Sequence, residues 1–328
     1  MEITPKYLKS EYIVRTSRTL SSLKDSDEEI IINLNHLEFS LPIGILSIGS
    51  ILKDFINHRE NNHLATKITP ITSKSSTISY LKHIGFFRYV GINIGNGVES
   101  GFGSSKYIPI TRISREEFEG KEEKLQILIQ EKAQSLAQVL LGALSTEERD
   151  ALLVISYSIR EILRNVFEHS GTNECFVCAQ RWIDGRAEIA ILDNGIGIFN
   201  TLSNAYEVNE EDAISLAIKP GITRTHNLSE TENIHQNSGY GLYAISEIGR
   251  SFGDFYLGSG SKIYFSNRNP NISDSFFRGT FVGLNINNIP TNFNELLKDI
   301  IQSGEDEAKK EGRASKASNA SKLAEYFK

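Results

Sequence analysis

The dipeptide Asp184-Gly185 lies between two apolar runs, ECFVCAQRWI (174–183) and RAEIAILD (186–193). A two-residue Asp-Gly connection matches the twist of antiparallel strands, so the two runs are expected to form a hairpin. Just upstream, STEE (145–148) is a capping-box signature and Gly171 a suitable helix stop. A long helix between them therefore leads straight into the hairpin.

The first hundred residues alternate in the same manner. EIIINLNHLEF (29–39) and HLATKITPI (63–71) read as strands, LPIGILSIGSILKDFINH (41–58) and STISYLKHIGFF (76–87) as helices. Such alternation favours a small α/β layer. GINIGNGVESGFGSS (91–105) fits neither the dinucleotide fingerprint nor the phosphate-loop spacing, and reads as a linker or long turn. SREEFEGKEEKLQILIQEKAQSLAQVLL (114–141) is expected to be a helix joining the two halves. Acids crowd its start, and Leu125, Leu128, Ile129, Leu136 and Leu140 are spaced for one packed face. Residues 302–328 have few apolar side chains before the last turn and read as a mobile tail with a short terminal helix.

At 328 residues the chain can build two cores, and its net charge of −6 lacks the basic excess of a dedicated nucleic-acid binder. The longest apolar stretch, LPIGILSIGSIL (41–52), is too short to cross a bilayer, and the N-terminal residues lack the apolar centre of a secretory signal. A cytoplasmic protein is expected. Cys175 and Cys178 make only half of a four-cysteine zinc site. On a strand they would point to opposite faces, as two small semi-buried residues.

EILRNVFEHSG (161–171) carries the first chemical signal. Glu161, Asn165 and His169 recur every four residues, and at about 100° per residue they share one helical stripe. An Asn carbonyl oxygen suits Mg²⁺, and a carboxylate one turn away can accept a proton from an attacking water. Taken alone, the spacing also fits a solvated helix face. LDNGIGI (192–198) then puts Asp193 at a strand end, where it can accept a hydrogen bond from an adenine amino group. Gly195 and Gly197 would let the backbone come close to the ring. In SGYGLYAISEIG (238–249) glycines open an apolar-periodic helix, whose free N–H groups suit phosphate. FRGTFVGLNI (277–286) reads as a terminal strand with Gly279-Thr280 at its entry.

In this order the four segments closely resemble the GHKL ATP-binding fold of gyrase, sensor histidine kinases and anti-sigma-factor serine kinases. The resemblance implies a two-layer α/β sandwich of the Bergerat type over residues 145–290. It implies that Asn165 holds Mg²⁺, that Glu161 is the base or water-orienting acid, and that Asp193 binds adenine in a pocket shaped by Gly195 and Gly197. Gly239, Gly241 and Leu242 would border the phosphates, Thr280 would sit near the base, and His169 matches a position often held by His in the kinase branches. Residues 199–238 would form the ATP lid, with Lys219 and Arg224 as its phosphate contacts.

The strand–LPIG–helix pattern and SYLKHIGFF give residues 1–105 a likeness to STAS domains, with 106–144 as a connecting helix and 291–328 as the tail. Phosphorylatable STAS domains have a serine pair where this chain has Leu41-Pro42-Ile43-Gly44. Ser40 is out of register, so modification by its own ATPase half is not expected.

Three functions fit this resemblance. One is an ATPase-type switch that closes its lid on Mg-ATP and changes contacts with a protein partner or a second copy, and Glu161 favours it. The second is a serine kinase of the anti-sigma type. A histidine kinase fits poorly, since residues 100–160 contain no histidine. The third is a non-catalytic nucleotide-binding module. DNA work of the gyrase kind would need a transducer domain, and only residues 291–328 follow.

Overall fold

Helices and strands alternate through the N-terminal third much as the sequence reads. The computed structural model of the chain describes residues 1–98, 106–118, 125–141, 149–223, 238–266, 270–287, 293–313 and 316–317. The capping box at 145–148, Arg224 with lid residues 225–237, and residues 318–328 lie outside the described set.

The N-terminal elements are β1 (Glu2–Ile3), β2 (Tyr7–Leu8), α1 (Ile13–Leu23), β3 (Ile30–Ile32), β4 (Phe39–Ser40), α2 (Pro42–Asn61), β5 (Thr66–Ile68), α3 (Ser76–His83) and α4 (Phe86–Tyr89). Strands β1, β3 and β5 form a small parallel sheet, and β2 pairs with β4. The expected single helix over 76–87 breaks at Gly85, whose φ of 85° is left-handed.

The remainder comprises β6 (Tyr107–Ser114), α5 (Leu125–Leu141), α6 (Arg149–His169), β7 (Glu174–Arg181), β8 (Ala187–Asp193), α7 (Gly197–Leu202), α8 (Glu210–Ala217), α9 (Gly241–Phe252), β9 (Gly253–Phe265), β10 (Asn271–Ile286) and α10 (Phe293–Lys310). Five strands form one antiparallel sheet in the order β6-β7-β8-β10-β9, and β7 and β8 are the hairpin expected around Asp184-Gly185.

Strand periodicity divides this sheet between two cores. Cys175, Val177, Ala179, Ile189 and Ile191 join a core with α5, α6, α9 and α10. Their neighbours Phe176, Cys178, Ala190 and Leu192 join a second core with α1, α2, α3 and α4. Both faces are therefore covered, and β8 is buried along its whole length. The two cysteines point to opposite faces as expected, but they are fully buried rather than semi-buried, and neither is in a disulfide.

Helix α2 is buried all round over Pro42–Leu52, because it lies between the small sheet and β7, β8 and β10. Its Gly44 has a packing task. A Cβ there would fall 2.1 Å from the Leu8 carbonyl carbon, so glycine lets the start of α2 lie against β2. Glu188, on the α2 side of β8, accepts the Ile43 N–H at 3.2 Å, and burial pushes its carboxyl up to about 7.

Three expectations need correction. Residues 106–144 are not a connecting helix. Tyr107–Ser114 is an edge strand paired with β7, Arg115–Phe118 is a short 3₁₀ turn, and the described helix begins at Leu125. Position 105 does not separate two cores either, since Ile110, Phe277 and Phe281 share a core with Leu46, Ile78 and Phe86.

Nor are residues 291–328 wholly a tail: α10 lies on α6 and α9, with Leu297, Ile300, Ile301 and Ala308 buried. Apolar residues three and four apart among many charges are enough for one packed stripe, even where the average composition is polar. Truncation before Phe293 would expose the seat of three large side chains, at about 1.5–3 kcal/mol each. A melting temperature lower by about 10 °C or more is expected in a thermal scan of the truncated chain.

Candidate functional site

The C-terminal half of α6 is one wall of a cavity between that helix and the sheet. Its described lining includes Glu161, Arg164, Asn165 and His169 of α6, Ile191 and Asp193 of β8, and Thr280 and Val282 of β10. Gly239–Leu242 at the start of α9, Ile222, Thr223 and Ser238 on either side of 224–237, and apolar residues of α7 and α8 such as Ile198, Leu202 and Ala217 also belong to it. Four segments far apart in the chain thus place Glu161, Asn165, His169, Asp193, Gly239, Gly241, Leu242 and Thr280 around one space.

One end of the cavity presents a buried carboxyl, that of Asp193. Asp193 is 4 % exposed, and its Oδ1 accepts the Gly195 N–H at 2.7 Å. Burial drives its carboxyl up to about 6, against hydrogen bonds from the Gly195 and Thr280 backbones that favour the charge. The register pairs Asp193 with Thr280 across β8 and β10, so both face the same space. Gly195 and Gly197 are not part of the described lining. Gly195 lies beneath Asp193, where a Cβ would come within 2.2 Å of the Ser170 carbonyl oxygen. Gly197 starts α7, and the following Ile198 N–H binds Ser259 Oγ at 2.9 Å.

The other end is bordered by the start of α9 and by Glu161. The N-cap residue of α9, Tyr240, makes no side-chain cap, and Gly239–Leu242 at the start of that helix line the cavity. Gly241 permits a close approach: a Cβ there would lie 2.5 Å from Glu161 Oε2. Gly239, with φ of 75°, leaves no room for a Cβ against the Ile222 backbone. From His169 near the Asp193 end to Glu161 beside Gly241, α6 rises about 12 Å.

Between these ends lies a buried charge network. Glu161 Oε1 is 2.6 Å from Arg160 Nη2 and 3.4 Å from Arg164 Nη1, while Arg164 Nε donates to Glu168 Oε1 at 3.2 Å. Burial works against the Arg164 charge, but Glu161 and Glu168 outweigh it and hold its pKa above the usual arginine value. Glu161 is thereby oriented, with Oε1 taken by arginines and Oε2 lying beside Gly241. Asn165 is half-buried in the cavity wall, and its carboxamide has no hydrogen-bond partner among the described residues. His169 Nε2 is 4.0 Å from Glu168 Oε2.

Lys219 does not line the cavity: its Nζ is 3.7 Å from Glu311 Oε2 beyond the end of α10. The described part of the segment expected to be a lid contains α8 and most of α7, and Tyr206 Oη donates to the Thr223 carbonyl oxygen at 3.0 Å. Sequence spacing missed Arg164 and Tyr240 as lining residues. The signal for Arg164 was its place three residues after Glu161, on the neighbouring helical row.

A nucleotide and a divalent ion fit what is present. The glycines at the start of α9 form a cradle that a Cβ would fill, Asn165 offers an unpaired carbonyl oxygen, and Asp193 is a buried acceptor. Among the described residues no group of three or more His, Cys, Asp or Glu side chains could hold a metal. Mg²⁺ needs none, since it commonly takes one or two protein oxygens together with phosphates and water. No residue of 1–98 is among the described lining of this cavity, and Ser40 lies in β4, just before α2 on the other side of the sheet. No described helix is long and apolar enough to cross a membrane.

No family model matches this chain, and neither does any curated protein or solved structure.

Proposed function

We propose that the cavity binds ATP with Mg²⁺ and slowly hydrolyses it, and that the bound state switches contacts made by the lid and a protein partner. The carrying observation is the convergence of Glu161, Asn165, Asp193, Gly239, Gly241 and Thr280 on one space, from segments whose order resembles the GHKL fold. In this reading the five-stranded sheet with α6 and α9 is the GHKL-like unit, and residues 1–98 are a STAS-like layer docked on its back.

Asp193 would accept the adenine amino group, and the α9 N–H groups would receive the phosphates. Mg²⁺, held by Asn165 Oδ1, would neutralise charge on the phosphate oxygens. Glu161 Oε2 would accept a hydrogen bond from the attacking water and orient its oxygen toward the γ-phosphorus. As the new P–O bond forms, Glu161 Oε2 would take the water's proton, the bond to the β–γ bridging oxygen would break, and ADP and inorganic phosphate would leave.

The test is to incubate the purified chain with γ-labelled ATP and follow the label. Free labelled phosphate is the expected product. Label on a protein serine would replace this reading with the kinase, and failure to bind any adenine nucleotide would end it.

A further inference from the structure

We infer that Arg164 is the side chain with which this cavity recognises the terminal phosphate of a nucleoside triphosphate. The inference rests on the reading of the cavity as an ATP site and deepens it. A triphosphate brings several negative charges, and one Mg²⁺ with helix N–H groups offsets only part of them. Among the described lining residues Arg164 is the only lysine or arginine. Lys219 is drawn away toward Glu311.

Position supports the same assignment. Arg164 precedes Asn165 on α6 and lies one turn from Glu161, whose Oε2 marks the start of α9. Its guanidinium spans from Glu168 to Glu161, and Nη1 is the nitrogen on the Glu161 side, toward the start of α9. At 5 % exposure its guanidinium is nearly dry, which strengthens a charge-assisted bond to phosphate. Its two acidic contacts among the described residues are unequal. The 3.2 Å bond from Nε to Glu168 is a firm anchor, whereas the 3.4 Å contact from Nη1 to Glu161 is long. A phosphate oxygen can displace the second and leave the first. Glu161 would stay oriented by Arg160, which bonds it through both Nε and Nη2.

A merely structural arginine would support ATP and ADP alike, whereas a terminal-phosphate contact favours ATP. Titration calorimetry of the full chain with Mg-ATP and Mg-ADP separates these roles in the unaltered protein, Arg164→Met and Arg164→Lys. The methionine variant should lose ATP affinity by about tenfold or more while ADP affinity stays within about twofold.

The lysine variant keeps a charge beside Glu161 and Glu168 and protects the fold. It should recover part of the ATP preference but not all, since lysine lacks the planar fork. Equal weakening of both nucleotides, or an unchanged ratio in both variants, would overturn the role of Arg164 and leave the ATP site standing. Absence of binding by the unaltered chain would overturn both.

Discussion

Asp193→Asn is expected to abolish adenine-nucleotide binding and at the same time stabilise the folded chain at neutral pH. The two effects share one cause. Asp193 is almost wholly buried, with a carboxyl pushed from 3.8 to about 6, so holding it ionised at pH 7 costs about 3 kcal/mol. Asparagine keeps an oxygen for the Gly195 N–H and removes the buried charge, which should raise the melting temperature by several degrees.

The pH dependence follows from the direction of the shift. Because the folded-state value is raised, folding takes up a proton at Asp193 between the two values. Stability from this group is complete below pH 3.8 and is lost as pH rises through about 6. The advantage of asparagine should vanish at the acid end of that window. Nucleotide affinity of the unaltered chain should move the other way and weaken below pH 6, because the ionised carboxylate is the stronger acceptor. Thermal scans and titrations from pH 4 to 8 measure both. Loss of stability in Asp193→Asn at pH 7 would contradict this account of the residue.

The second large effect concerns Glu161. Glu161→Gln should retain nucleotide binding and lower phosphate release by about 10²–10⁴-fold, the usual worth of a positioned acid–base group. Glutamine is the informative replacement because Glu161 is clamped by Arg160 and Arg164. Alanine would leave two buried guanidiniums short of a counter-charge and could cost about 3–5 kcal/mol of stability. Single-turnover phosphate release beside a binding titration separates the two outcomes. Phosphate release at the unaltered rate would remove Glu161 from the chemistry.

Much of this was legible in the sequence wherever local chemistry decided the structure. Asp184-Gly185 fixed the hairpin, and strand periodicity placed Cys175 and Cys178 on opposite faces. The four-residue spacing put Glu161, Asn165 and His169 on one cavity wall. Arrangements set by distant contacts were not legible. YIPITRIS became an edge strand only because β7 offered it a partner, and α10 packed because α6 and α9 left a seat for its apolar stripe.

The docking of the N-terminal layer on the back of the sheet was hidden for a similar reason. Phe176, Leu192 and Phe281 read simply as strand residues, and their partners in α2 and α4 lie more than eighty residues away in the chain. In the site, Lys219 was assigned by order in the chain, whereas its lysine turns toward Glu311. Arg164 lies on the helical row beside that of Glu161 and Asn165, so a four-residue spacing does not select it.

The most direct test is a structure of the full chain with Mg²⁺ and a non-hydrolysable ATP analogue. The adenine amino group should lie within hydrogen-bonding distance of Asp193, the metal on Asn165, and the phosphates against Gly239–Leu242. An empty cavity at saturating analogue, or a nucleotide bound with its phosphates toward Asp193, would contradict the assignment of this site.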